Sequence, residues 1–190
     1  FDDALSVQEL QNGEWEIGVH IADVSHYVKP GTALDREANQ RGNSTYLVGE
    51  VVPMLPHRLS SGICSLVEGE ERLVKSVFFL FSNEGKVVRS KIAESVILSD
   101  KRLTYEQAGL FLQENDLEKI RSATPPPSRY SGNPGKLLNE ISDSLLESLQ
   151  LNIRKIASIA AILRAERMQK GSLDLESTEV KILVDQKGEP

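Results

Sequence analysis

The chain has 190 residues, 39% of them hydrophobic, with 22 basic against 28 acidic side chains and a formal charge of −6. That is enough apolar material for a core in one domain or a domain and a half. The acidic balance argues against a freestanding nucleic-acid grip, which rests on Lys and Arg neutralising phosphates, but not against a catalytic core whose affinity other domains supply. With Cys64 as the single cysteine there is no intramolecular disulfide, and neither a signal-like start nor a membrane-length apolar run is present, so the expected setting is the cytoplasm.

Phe1-Asp2-Asp3 opens the chain with two adjacent carboxylates. Such a pair is either the edge of a Mg²⁺ site beside phosphate, because a hard cation takes oxygen ligands and leaves positions for water and substrate, or a solvated loop. Ala4 to Leu10 and Trp15 to Ala22 flank Gln11-Asn12-Gly13-Glu14, which predicts a hairpin, since Asn-Gly supplies the positive φ a tight turn needs. Trp15, Ile17, Val19 and Ile21 alternate with Glu16, Gly18 and His20, which predicts one apolar face. Thr32 caps a predicted helix through Ala38 that Gly42 stops.

Val51 to Pro56 carries two prolines and is expected to cross as an extended, unpaired segment. Arg72 to Ser82 and Lys86 to Ser99 read as two long strands joined at Asn83-Glu84-Gly85. Thr104 with Gln107 forms a capping box for a helix to about Gln113. The stretch 122–135, rich in Pro, Gly and Ser, is expected to be a mobile loop dividing the chain into 1–121 and 136–190. Beyond it, Leu137, Leu138, Ile141, Leu145, Leu149, Ile153, Ile156, Ala160 and Leu163 recur at three- and four-residue steps, the stripe of a long helix packing on this chain's own sheet. Ser177 to Val184 reads as a further strand. A start without Met and a stop at Glu189-Pro190 both read as cuts from something longer.

Phe1-Asp2-Asp3-Ala4-Leu5, Val19-His20-Ile21-Ala22-Asp23-Val24-Ser25-His26-Tyr27-Val28, Leu34-Asp35-Arg36-Glu37-Ala38, Pro53-Met54-Leu55-Pro56 and Leu59-Ser60 through Cys64-Ser65-Leu66 closely resemble the catalytic (RNB) domain of the ribonuclease II and ribonuclease R family. The likeness continues through Ala93-Glu94-Ser95-Val96-Ile97 and Arg102-Leu103-Thr104-Tyr105, weakens across the proline loop, and resumes at Gly171-Ser172-Leu173-Asp174. It implies a processive 3′-to-5′ hydrolase of single-stranded RNA that needs Mg²⁺ and releases nucleoside 5′-monophosphates. With the hairpin reading, it also implies an α+β fold whose mixed, largely antiparallel sheet carries helices. Flanking OB-type domains would supply the basic single-strand grip this acidic piece lacks.

By position, the resemblance implies that Asp3 is a direct metal ligand and Asp2 the aspartate most closely tied to the catalytic step, orienting water or a second metal ion. Two further aspartates would precede Phe1, and an arginine motif at the scissile phosphate would follow Pro190, so the 190 residues alone are expected to show little or no activity. Tyr46 matches the tyrosine that stacks beside the 3′-terminal bases, against the plainer reading of a core Tyr in a strand. Leu175 stands where the opposite aromatic of that clamp belongs, and offers a base no π face. Asp23 is either a support for the aspartate pair or a cap on the turn before Pro30. His26 is expected to be structural, Cys64 a small buried residue, and Arg36 either a phosphate contact or part of a solvated helix face. The competing reading is a non-catalytic RNA-binding or scaffolding relative on the same fold.

Overall fold

The computed structural model describes residues 1–47, 50–123 and 135–174. In chain order they form β1 (Asp3–Glu9), β2 (Trp15–Ala22), α1 (Val24–Tyr27), α2 (Ala33–Arg41), β3 (Thr45–Leu47), β4 (Glu50–Val52), an irregular helical turn (Arg58–Ile63), β5 (Glu71–Phe81), β6 (Val87–Leu98), α3 (Tyr105–Gln113), α4 (Leu117–Arg121), a 3₁₀ turn (Leu138–Glu140) and α5 (Asp143–Gln169). Among the described residues the fold is α+β, with an antiparallel four-stranded sheet in the order β1-β2-β5-β6. The expected hairpins are present: Leu10 N–H bonds Glu14 O at 2.8 Å with Gly13 at φ 81°, and Ser82 to Lys86 closes the turn between β5 and β6.

The sheet buries different faces at its two ends. Trp15 and Ile17 pair with Phe81 and Phe79 and face α5 through Ile156 and Ile159. At the other end Ala22 and Val74 pair, and pack with Leu66 and Ala4 on the opposite face. The apolar alternation predicted for β2 therefore holds only over its first half: Ile21 is exposed, whereas His20 and Ala22 on the other face are buried. Period two places Trp15 and Ile21 on one side of the strand, but among the described residues only the Trp15 end of that side has a helix over it.

Thr32 Oγ1 accepts from Asp35 N–H to start α2, and Gly42 closes it. Thr104 and Gln107 complete the capping box of α3 in both directions. Val51 and Val52, expected to be unpaired, instead pair with Tyr46 and Thr45 as β4 against β3. A proline lacks a donor only at its own nitrogen, so pairing continues up to Val52 and stops at Pro53.

The helix expected from Leu137 begins at Asp143, with Ser142 Oγ accepting from Leu145 N–H at 3.3 Å. Leu138 and Ile141 precede it and are buried with Phe111, Ile120 and Leu146. α4, which carried no strong sequence signal, contributes Ile120 to that cluster. α5 thus spans two cores, the helical cluster through Leu146 and the sheet through Ile159. Arg154 fixes the crossing by donating to Phe111 O at 2.9 Å and to Glu114 O at 2.7 Å, carbonyls left open where α3 ends. The predicted strand 177–184 and most of the 122–135 loop lie outside the described residues.

Candidate active site

The aspartate pair stands where β1 begins, and its backbone is held from both sides. Phe1 O accepts from Leu66 N–H at 2.8 Å, and Asp2 O accepts from Ala22 N–H at 2.9 Å. Asp3 then pairs with Ile21 as the first residue of the strand. Because successive residues of an extended chain face opposite ways, Asp3 takes the side of Ile21 and Lys75, and Asp2 the side of Ala22 and Ala4. Both are exposed.

Asp23 is buried and acts as the N-cap of α1: its Oδ1 accepts from Ser25 Oγ at 2.5 Å and from His26 N–H at 3.1 Å. Lys75 Nζ lies 3.5 Å from Oδ2 and also pairs with Glu94. The Ser25 hydroxyl holds the Asp23 carboxyl below the ordinary carboxylate value; burial opposes this, and Lys75 and the His26 N–H reinforce it. The geometry is that of the turn cap. His26 engages Asp23 through its backbone, while its ring sits edge-on to Tyr27.

Cys64 is buried, and burial pushes its thiol above the ordinary value, with the Asp2 and Asp23 charges adding and Arg72 opposing. A thiol so disposed is a packing residue and no nucleophile. Arg72 donates to Ser65 O at 2.9 Å and pairs with Glu70 at 2.5 Å. The Arg102 guanidinium lies 4.4 Å above the Phe1 ring, which brings a cation to the start of β1. Neither Lys75 beside Asp23 nor Arg102 over Phe1 was legible in the sequence: the first depends on the β2–β5 register and the second on a contact between residues about a hundred apart in the chain.

Carboxylate oxygens are the donors Mg²⁺ prefers, and this ion is commonly held by one or two carboxylates together with substrate phosphate and water. Asp2 and Asp3 therefore fit it in donor type. Among the described residues, no group of three or more His, Cys, Asp or Glu side chains comes together to hold a metal ion, so they offer a partial donor set.

Tyr46 sits on the separate β3–β4 hairpin, opposite Val51, and is 78% exposed. The hairpin is tied to α2, with Arg41 Nη1 donating to Pro53 O at 3.1 Å, and Ser44 Oγ accepting from Met54 N–H at 2.9 Å. The core-tyrosine reading is thereby excluded, and the ring is open to a stacking partner. Leu175 lies outside the described residues. Arg36 is exposed, and its Nη1 donates to Gly31 O at 2.6 Å.

An antiparallel sheet with a carboxylate pair at the head of its outer strand and helices packed over one end defines an α+β domain with a carboxylate edge. Residues 1–190 match the RNB domain family throughout, and the chain belongs to it. It is 46% identical over 190 residues to ribonuclease R of Thermotoga maritima, covering 100% of this chain and 23% of that protein. The chain thus spans about a quarter of the length of that relative. Among solved structures, Mycoplasma genitalium RNase R in complex with ribose-methylated single-stranded RNA superposes with a TM-score of 0.75 at 28% identity, over 98% of this chain and 25% of the other. Yeast Ssd1, described as a pseudonuclease, superposes with a TM-score of 0.53 at 25% identity, over 73% of this chain and 15% of the other.

Proposed function

We propose that the protein is a processive 3′-to-5′ exoribonuclease that hydrolyses single-stranded RNA to nucleoside 5′-monophosphates, with Mg²⁺ as cofactor. The supporting observation is the Asp2–Asp3 pair, exposed and backbone-anchored at the head of β1 in a chain of the RNB family. Divalent ions bound there would supply Lewis acidity for in-line attack on a phosphodiester. Asp3 would hold a metal ion through its carboxylate oxygens, and Asp2 would orient the attacking water by accepting its hydrogen bond, or hold a second ion. Attack breaks the P–O3′ bond, so the released nucleotide keeps its phosphate on the 5′ oxygen and the shortened RNA ends in a 3′-hydroxyl. Tyr46 stacks on a base near the 3′ end, with Leu175 as an apolar partner, and Asp23 supports the pair by fixing the chain after β2. The partners are single-stranded RNA and flanking OB-type domains of the same polypeptide, and the setting is the cytoplasm. Because the family resemblance assigns two further aspartates and an arginine to the site beyond Asp2 and Asp3, we infer that the 190 residues alone turn RNA over slowly or not at all.

The likeness to Ssd1 supports a second reading, a non-catalytic RNA-binding relative. Both are tested by incubating the complete reading frame with 5′-labelled single-stranded RNA and Mg²⁺, beside Asp2→Asn. Shortening from the 3′ end that falls by about a hundredfold or more in the variant, with RNA still bound, supports the exonuclease. RNA bound and never shortened by the unsubstituted protein overturns it in favour of the second reading.

A further inference from the structure

Among the described residues β1 is the outer strand of the sheet, and its backbone ladder is made with β2. On one face its hold is apolar: Val7 packs on the cluster of Trp15, Ile17 and Ile159. On the other face it is polar, built on His20 from the Val19-His20-Ile21-Ala22 run. His20 Nε2 lies 2.9 Å from Ser6 Oγ and Nδ1 lies 2.7 Å from Ser76 Oγ, so one chain of side-chain hydrogen bonds crosses β1, β2 and β5. His20 and Ser76 are buried, and the Phe78 ring meets the imidazole edge-on at 5.6 Å. A neutral imidazole donates from one nitrogen and accepts at the other, and serine hydroxyls can take either complementary role. Burial lowers the His20 pKa and favours that neutral form.

The bridge to Ser6 is diagonal. Ser6 pairs with Gly18, while His20 pairs with Ala4. A Cβ on Gly18 would stand 2.6 Å from His20 Nε2 and closer still to Ser6 Oγ, so the bridge exists only because position 18 has no side chain.

This diagonal has a geometric consequence for the aspartates. A one-residue slip of β1 would reverse its faces, and the apolar pattern opposes that. A two-residue slip keeps every residue on its own face, so the apolar pattern opposes it weakly, and the Leu10–Glu14 turn and the cross-strand side-chain bonds are what resist it. It would carry Asp2 and Asp3 about 7 Å along the sheet, twice the rise of an antiparallel strand. It would also put Ala4 or Gln8 opposite Gly18 and undo the diagonal placement of Ser6 against His20. We propose that the Ser6–His20–Ser76 bridge, with Gly18 as its gap, is a register pin. Ser6 and His20 are positioning residues that set where the aspartate pair stands. This inference rests on the reading of Asp2 and Asp3 as the catalytic carboxylates.

The test uses the complete polypeptide and four variants: His20→Ala, Gly18→Ala, Ser6→Ala and Asp2→Asn. His20→Ala and Gly18→Ala are expected to lower kcat by about tenfold or more, since displacements of an ångström already cost about a hundredfold, while KM for RNA stays within about twofold. The more exposed Ser6→Ala, which leaves the core intact, moves kcat in the same direction and keeps the proposal testable if the other two fold poorly. Loss of register, unlike general destabilisation, is repaired by a cross-link. Leu5 and Val19 pair on the opposite face, and Leu5→Cys with Val19→Cys in the His20→Ala background should restore kcat when oxidised and lose it again on reduction. Asp2→Asn inactive, with His20→Ala at the unsubstituted rate or unrescued by the cross-link, overturns the pin alone. Asp2→Asn at full rate overturns the carboxylate reading and the pin with it.

Discussion

Lys101 Nζ lies 2.6 Å from Glu68 Oε2, with the two side chains only 1% and 8% exposed. Glu68 also accepts from the backbone N–H of Arg102 and of Lys136, each at 2.9 Å, and Lys101 donates to Lys136 O at 2.6 Å. One buried carboxylate therefore fastens the segment leading into α3, and the residues ahead of α5, to the end of the sheet. A Cβ on Gly135 would collide with that carboxylate, so its neighbour must be glycine.

Removing one member of this pair leaves a buried, uncompensated charge. Glu68→Ala is expected to destabilise the chain by about 3–5 kcal/mol, far more than a surface pair would cost. Denaturant unfolding followed by circular dichroism measures it; a midpoint unchanged from the unsubstituted chain would show that the latch carries no stability.

The same residue sets a pH dependence. Burial favours the neutral form of Glu68, but the Arg102 N–H, the Lys101 ammonium and the Lys136 N–H together outweigh it, and its pKa lies below the ordinary value. A depressed carboxylate contributes stability that is complete above its unfolded pKa, about 4.3, and is lost as pH falls through the folded value. Urea midpoints should therefore converge between the unsubstituted chain and Glu68→Gln as pH drops below about 4. A difference constant from pH 7 to 3 would contradict the assignment.

Ile159 connects α5 to the sheet, buried among Trp15, Ile17 and Phe81. Truncation leaves a cavity beneath Trp15, and Ile159→Ala should cost about 2–5 kcal/mol. Because Val7 of β1 belongs to the same cluster, hydrogen exchange should quicken in β1 before it does in β6. Uniform acceleration across the sheet would show that α5 does not anchor the outer strand locally.

Tyr46, exposed on its own hairpin, should act on binding and leave the chemistry alone. If it stacks on a base, Tyr46→Ala in the complete polypeptide weakens single-stranded RNA binding by about 5- to 150-fold, the equivalent of about 1–3 kcal/mol, and Tyr46→Phe stays near the unsubstituted affinity. Equilibrium fluorescence titration separates the two. A Tyr46→Phe loss as large as that of Tyr46→Ala would assign the effect to the hydroxyl instead of the ring.

What was legible from sequence follows the range of each signal. Asn12-Gly13 located the first hairpin, Thr32 and Gly42 bounded α2, and Thr104 with Gln107 opened α3, because turn chemistry and capping act within four residues. The helical stripe was read correctly in period but began too early. Leu138 and Ile141 keep helical spacing while sitting in a 3₁₀ turn and its exit, and Ser142 is the residue that provides the cap. Local periodicity cannot tell a buried residue on a helix from a buried residue just before one.

By itself the sequence determined the α+β class, the long antiparallel pairs and the family pattern around Asp2, Asp3 and Tyr46. Those depend on side-chain period, on turn residues and on motif order, all properties of the linear chain. Only the tertiary structure decided which end of β2 buries which face, that Asp23 is a cap paired with Lys75, that Glu68 and Lys101 form a latch, and that His20 bridges Ser6 and Ser76. Each of those joins residues from separate elements. Whether two such residues meet depends on strand register and on the helix that packs above, and both are settled by the free energy of the whole assembled sheet.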